Sequence, residues 1–309
     1  MQWLEVKIIF EHKEPELAAD LISLLLYDLE SKGVIIEDPM LKPDEGRQDG
    51  AGSSPEHYAV KGFFPGGHLP LKHRHKLKTG LVHLEDEHGI LARMVINRLD
   101  EADWSNAWKA HFHTEKISQH LVIKPSWQDY EPRTGETVLE IDPGMAFGTG
   151  THATTRLCVN LIETCLKPHD SVLDVGTGSG ILMIAAAKLG ARNVCGIDKE
   201  WLAVDIAKAN LKRNRIDPEK SALICGHLIE ALAGRFDLVV ANLLTESVIV
   251  LLDDINTVLS KNGCFLCSGI LKENQNSVTD KMKALDFEII HLYSKEEWIA
   301  VAGKRRGLI

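Results

Sequence analysis

From about residue 154 onward, short apolar runs alternate with longer amphipathic ones: SVLDVG, GILMIAAAKLG, NVCGID, EWLAVDIAKANLKRN, SALICG, FDLVVANL, SVIVLLDDINTVLS and GCFLCSGI. Runs such as DLVVANL are almost continuously apolar, as parallel strands covered on both faces must be. The alternation predicts a doubly wound α/β sheet. The stretch FEIIHLYSKEEWIAVAGKR then reads as two strands around a polar turn, an antiparallel hairpin at the sheet edge.

The first hundred residues have a different rhythm. WLEVKIIF alternates as a strand does, EPELAADLISLLLYDLESKG has helical period with a glycine stop at Gly33, and GVIIED returns to strand. YAVKGFF and ARMVINRL are further strands, with LPLKHRHKLKTG as a helix between them and KPDEGRQDGAGSSPE as a surface loop. Residues 1–100 therefore form a small α+β domain. Residues 101–127 read as a connector that sets Trp104, Trp108 and either His111 or Phe112 on one helical face before a strand at Leu121–Ile123. The large domain is expected over 128–309.

A chain of 309 residues has room for two such domains, and no apolar run approaches the roughly 18 residues that span a bilayer. MQWLEVKIIFEHKEPE carries no export signal, so a cytoplasmic protein is expected. Formal net charge is −9 and no basic face is visible along the chain, which argues against direct binding to nucleic acid. Of the 6 cysteines, Cys264 and Cys267 form a C-x-x-C, but on a strand residues three apart point to opposite faces and no second pair completes a metal site. The H-x-H pairs His73/His75 and His111/His113 lack a third ligand. No metal is expected.

The chemistry concentrates in VLDVGTGSGILMIAAAKLG, a strand, a glycine turn and a helix. Gly176, Gly178 and Gly180 let the backbone turn sharply and approach a ligand where a side chain would collide. Asp198 ends the next strand, where a carboxylate suits the two hydroxyls of a ribose. A dinucleotide fingerprint requires G-x-G-x-x-G, whereas this chain reads G-x-G-x-G with Ile at 181, and no Gly-Lys-Ser/Thr marks a phosphate loop. S-adenosylmethionine has no pyrophosphate to cradle and fits this turn. Asn242 closes the strand DLVVAN, at the end where open α/β sheets bind ligands. Enzymes that methylate planar amide or adenine nitrogens carry two prolines and an aromatic ring after that Asn; here Leu243, Leu244 and Thr245 follow. The substitution suggests a non-planar nitrogen, an amine, held by Asn242 and a neighbouring carbonyl.

DPGMAFGTGTHATTRLC, VLDVGTGSGIL, GID, VVANLL, LCSGIL and WIAVAGKR, with the W-x-x-x-W connector ending in KPSW, resemble the bacterial ribosomal protein L-eleven methyltransferases over essentially the whole chain. The resemblance implies a Rossmann-like methyltransferase sheet preceded by a ferredoxin-like domain that recognises the ribosomal protein. It implies a loop over the cofactor at residues 147–155, with Phe147 and Thr155 among the cofactor contacts, Gly176 and Asp198 on the nucleoside, and Asn242 near both methionine end and acceptor. The expected reaction moves methyl groups from S-adenosylmethionine to lysine or N-terminal amines of that ribosomal protein, by a monomer away from membranes. Another protein or a small-molecule amine is the alternative acceptor.

Overall fold

The computed structural model describes residues 2–29, 31, 33–40, 56–66, 68–100, 112–142, 150, 152–230 and 232–305. The chain divides into two compact units, Met1–Phe112 and His113–Ile309. The division falls between Phe112 and His113, so residues 113–127 of the expected connector lie in the second unit. Trp104, Trp108 and His111, like residues 42–55 of the expected surface loop, lie outside the described residues.

In the first unit the elements run β1 (Gln2–Glu11), α1 (Pro15–Asp28), β2 (Val34–Glu37), β3 (Ala59–Pro65), α2 (Leu71–His88) and β4 (Leu91–Asp100). The strands form an antiparallel sheet in the order β2-β3-β1-β4. Alternation in β1 turns Leu4, Val6, Ile8 and Phe10 into one core with Ala18, Ile22 and Leu26 of α1. The sequence places the end of α1 at Gly33, but the helix stops five residues earlier. The Ser31 hydroxyl donates to the Gly33 carbonyl at 2.7 Å and accepts from the Phe63 amide at 2.9 Å, offering the backbone a turn in place of further helix.

The second unit opens with a three-stranded sheet, β5 (Glu115–Lys116), β6 (Leu121–Lys124) and β7 (Thr137–Glu140). There follow α3 (Ala153–Cys165), β8 (Ser171–Val175), α4 (Ile181–Lys188), β9 (Asn193–Asp198), α5 (Trp201–Arg213), β10 (Ser221–Cys225), β11 (Phe236–Asn242), α6 (Thr245–Val258), β12 (Leu259–Leu271), α7 (Gln275–Ala284), β13 (Phe287–Lys295) and β14 (Trp298–Arg305). The main sheet has the order β10-β9-β8-β11-β12-β14-β13. Its first five strands are parallel, and β14 runs antiparallel to both neighbours.

The hairpin enters the sheet second strand first. β14 is buried along Trp298–Gly303, so both of its faces need cover, whereas β13 alternates between half-buried and exposed positions and tolerates the edge. The strand carrying C-x-x-C splits its cysteines as alternation requires. Cys267 joins the core formed with α6 and α7, while Cys264 lies on the opposite face, next to Cys165 of α3. No helix among the described residues is long and apolar enough to cross a membrane.

Candidate functional site

The strand order reverses between β8 and β11, and the chain leaves β8 there through the glycine turn. Gly176, Gly178 and Gly180 all have positive φ, at 72°, 53° and 79°, a region that residues with a Cβ rarely enter. Two of the three are also fixed by space: a Cβ on Gly176 would sit 2.5 Å from Leu243 Cδ2, and one on Gly180 3.1 Å from Ala207 Cβ. The amides of Gly176 and Thr177 donate to the Ile197 carbonyl at 2.8 and 3.0 Å, tying the turn to the end of β9.

Asp198, the last residue of β9, lies against this turn. Its Oδ2 accepts from the Gly178 amide at 2.9 Å and its Oδ1 from the Glu200 amide at 3.0 Å. Each carboxylate oxygen keeps a lone pair for a further donor. Asp198 thus sets the shape of the turn and leaves an acceptor surface beside it.

On the other side of the reversal point, Asn242 ends β11, and its Nδ2 donates to Thr155 Oγ1 at 3.4 Å across 87 residues of sequence. Thr155 is fully buried in the first turn of α3. That turn is capped in an unexpected way. The four threonines at 149–155 suggest a hydroxyl cap, but His152 supplies it: Nδ1 accepts from the Thr154 amide at 3.2 Å and lies 2.7 Å from the Thr154 hydroxyl. The His152 ring packs on the buried Trp298 with centroids 5.5 Å apart, so β14 fixes where α3 begins.

Of the loop expected over the cofactor, Gly150 and residues 152–155 are described; Phe147 is not. Gly150 has φ 91°, and a Cβ there would collide with Ile123 of β6 and approach Ile181 at the start of α4 to 2.7 Å. Gly150 is therefore held tightly beside the start of the helix that follows the glycine turn. Gly269, at φ 84°, is pressed against the backbone of Leu243, whose amide donates to the Ser268 carbonyl at 3.1 Å. Leu243 is held between the glycine turn and β12, next to Asn242.

Asp174 belongs to this region and was not singled out from the sequence. It is 1% exposed, and its Oδ2 accepts from the Thr177 hydroxyl at 2.7 Å and the Met183 amide at 3.3 Å. Oδ1 is buried with no partner among the described residues. Burial, reinforced by nearby Asp198, pushes its pKa up to about 7. The signal was present: a carboxylate in the middle of the otherwise apolar VLDVG is expensive unless it has work to do.

The positive-φ turn, the acceptor at Asp198 and the Asn242 amide converge at the carboxyl ends of β8, β9 and β11, where an open α/β sheet binds its ligand. The comparisons agree. The family model described as ribosomal protein L11 methyltransferase (PrmA) matches residues 2–306. A protein of that name from Desulfosudis oleivorans is 40% identical over 309 residues, 99% of each chain, and one from Desulforapulum autotrophicum is 38% identical over 305 residues, 98% of this chain and 99% of its own. The crystal structure of a ribosomal protein L11 methylase from Lactobacillus delbrueckii subsp. bulgaricus is similar with a TM-score of 0.59 and 36% identity, covering 63% of this chain and all of its own. The chain belongs to the ribosomal protein L11 methyltransferase family, and it is an S-adenosylmethionine-dependent methyltransferase.

Proposed function

We propose that this enzyme methylates amino groups of ribosomal protein L11, on lysine side chains or the N-terminus, in the cytoplasm. The observation that carries the reading is Asn242 at the end of β11, anchored by Thr155 and flanked by the glycine turn. When bound, the donor supplies a methyl group on a positively charged sulfur. Gly176, Gly178 and Gly180 bring backbone close to its adenosine, and the free lone pairs of Asp198 accept from the ribose hydroxyls. Phe147 completes the cofactor pocket in this reading, which also has Thr155 facing the cofactor.

Asn242 acts on the acceptor. With Nδ2 committed to Thr155, its Oδ1 is left to accept an amine hydrogen, and the adjoining backbone offers a second acceptor. Two acceptors on the amine aim its remaining lone pair, which needs a neutral nitrogen. Keeping a lysine of pKa about 10.4 neutral at pH 7 costs roughly 4.6 kcal/mol. A dry site next to positive charge lowers that pKa by several units, so positioning and desolvation suffice without a general base.

The first unit is assigned to the protein substrate, and its β-α-β-β-α-β order supports reading it as ferredoxin-like. Incubation with L11 and S-adenosylmethionine, followed by peptide mapping in a mass spectrometer, tests the assignment. Methyl groups on L11 amines are expected. An unmodified L11 beside a methylated different protein would overturn the substrate while leaving the chemistry standing.

A further inference from the structure

The charge of the whole chain is −9, yet α2 opens with LKHRHKLK, four Lys or Arg and two His in eight residues. Lys72, Arg74, Lys76 and Lys78 are all exposed. Only Lys76 has an acidic partner among the described residues, Asp28 of α1. The helix buries only Leu77 and Leu84, so its cations fan out over the solvent side.

This arrangement works against the helix that carries it. Cations in the first turns oppose the positive end of the helix dipole, and α2 has no acidic residue in its first turn to offset them. Lys72 with Lys76, and Arg74 with Lys78, are like charges four apart, on neighbouring turns. Glu85, Asp86 and Glu87 crowd the opposite end, where the dipole disfavours anions. A sequence selected for helix stability alone would reverse the order. Local frustration of this kind marks a surface kept for something else.

We propose that the N-terminal half of α2 is a docking surface for an RNA phosphate backbone. Lys72 and Lys76 share one side of the exposed surface and Arg74 and Lys78 the other, so two pairs flank it over about 9 Å of helix. A duplex presents roughly five phosphates over that length at one charge per about 1.7 Å. Long flexible cations without a buried aromatic anchor suit evenly spaced phosphates better than a protein surface, where affinity concentrates in a few well-packed anchors. The choice of RNA over another polyanion rests on the ribosomal substrate proposed above. A chain-wide charge count misses the surface because acidic residues elsewhere outnumber it.

The test is fluorescence anisotropy with a labelled 20-base-pair RNA duplex, using the full chain and the triple variant Lys72→Glu, Arg74→Glu, Lys78→Glu. With three phosphates neutralised, the affinity of the unaltered protein falls about 40-fold between 50 and 200 mM salt. The variant loses at least tenfold in affinity at 50 mM and most of its salt dependence, while its melting temperature stays level or rises. No binding by the unaltered protein at 50 mM, or a variant that keeps the same affinity and slope, overturns the proposal. So does a polyglutamate probe that binds more tightly than the duplex, which would point to an acidic protein instead. A variant that melts lower and still binds RNA shows the cluster to be structural. These readouts do not depend on methyl transfer, so they stand or fall apart from the L11 assignment.

Discussion

Asp174 makes stability depend on pH in a direction opposite to that of most carboxylates. Unfolded, it titrates near 3.8; folded, burial holds it at about 7. Between these values the folded protein binds a proton that the unfolded chain does not, so stability falls as pH rises through this window and levels off above it. From pH 5 to 8, across the folded pKa, the loss is about two pH units at about 1.36 kcal/mol each, roughly 2.6 kcal/mol. Asp174→Asn keeps an oxygen for the Thr177 hydroxyl and the Met183 amide and removes the titration. Urea unfolding of both proteins at pH 5 and pH 8 isolates the effect, because every other titrating group is common to the pair. Relative to the variant, the parent should lose about 2 to 3 kcal/mol between the two pH values. An identical pH dependence in the two proteins, or a parent that gains on the variant as pH rises, would show that Asp174 is charged in the fold and that the burial argument fails.

Asn242→Ala should lower turnover by roughly 10²-fold through misalignment of the amine while calorimetry finds cofactor affinity little changed; equal turnover with weakened cofactor binding contradicts the aligning role. Asp198→Ala removes the carboxylate that holds the Gly178 and Glu200 amides and should weaken the cofactor by about 10- to 100-fold, as expected for hydrogen bonds to a charged group. An unchanged dissociation constant would take Asp198 out of the site. Gly176→Ala puts a methyl 2.5 Å from Leu243 at φ 72° and should cost about 1 to 3 kcal/mol, read as a lower urea midpoint at unaltered slope.

The parallel sheet was legible because its strands are apolar on both faces and its glycine turn is local. The seat of β14 was legible only in outline: the polar turn reveals the hairpin, but which strand lies inside depends on comparing WIAVAG with FEIIHLYSK for two-sided burial. The Thr155–Asn242 bond joins residues far apart in sequence, so no pattern along the chain reports it. The His152 cap escaped because hydroxyl and carboxamide side chains dominate that position elsewhere. Short strands such as Glu115–Lys116 carry too few residues for a period to emerge. Asp174 was visible as an anomaly but passed over, since a lone polar residue within an apolar strand interrupts the pattern without announcing a role.

The interior seat of β14 has a consequence for biosynthesis. Residues 298–305 are made after every other strand of their sheet, yet they fill a gap between β12 and β13. Until they leave the ribosome, a nascent chain carries two open strand margins and lacks the Trp298 surface on which His152 sets the start of α3. The methyl-transfer centre is therefore completed only as synthesis of this segment finishes, and a stop codon ahead of Trp298 would yield a sticky, inactive polypeptide rather than a slightly shortened enzyme.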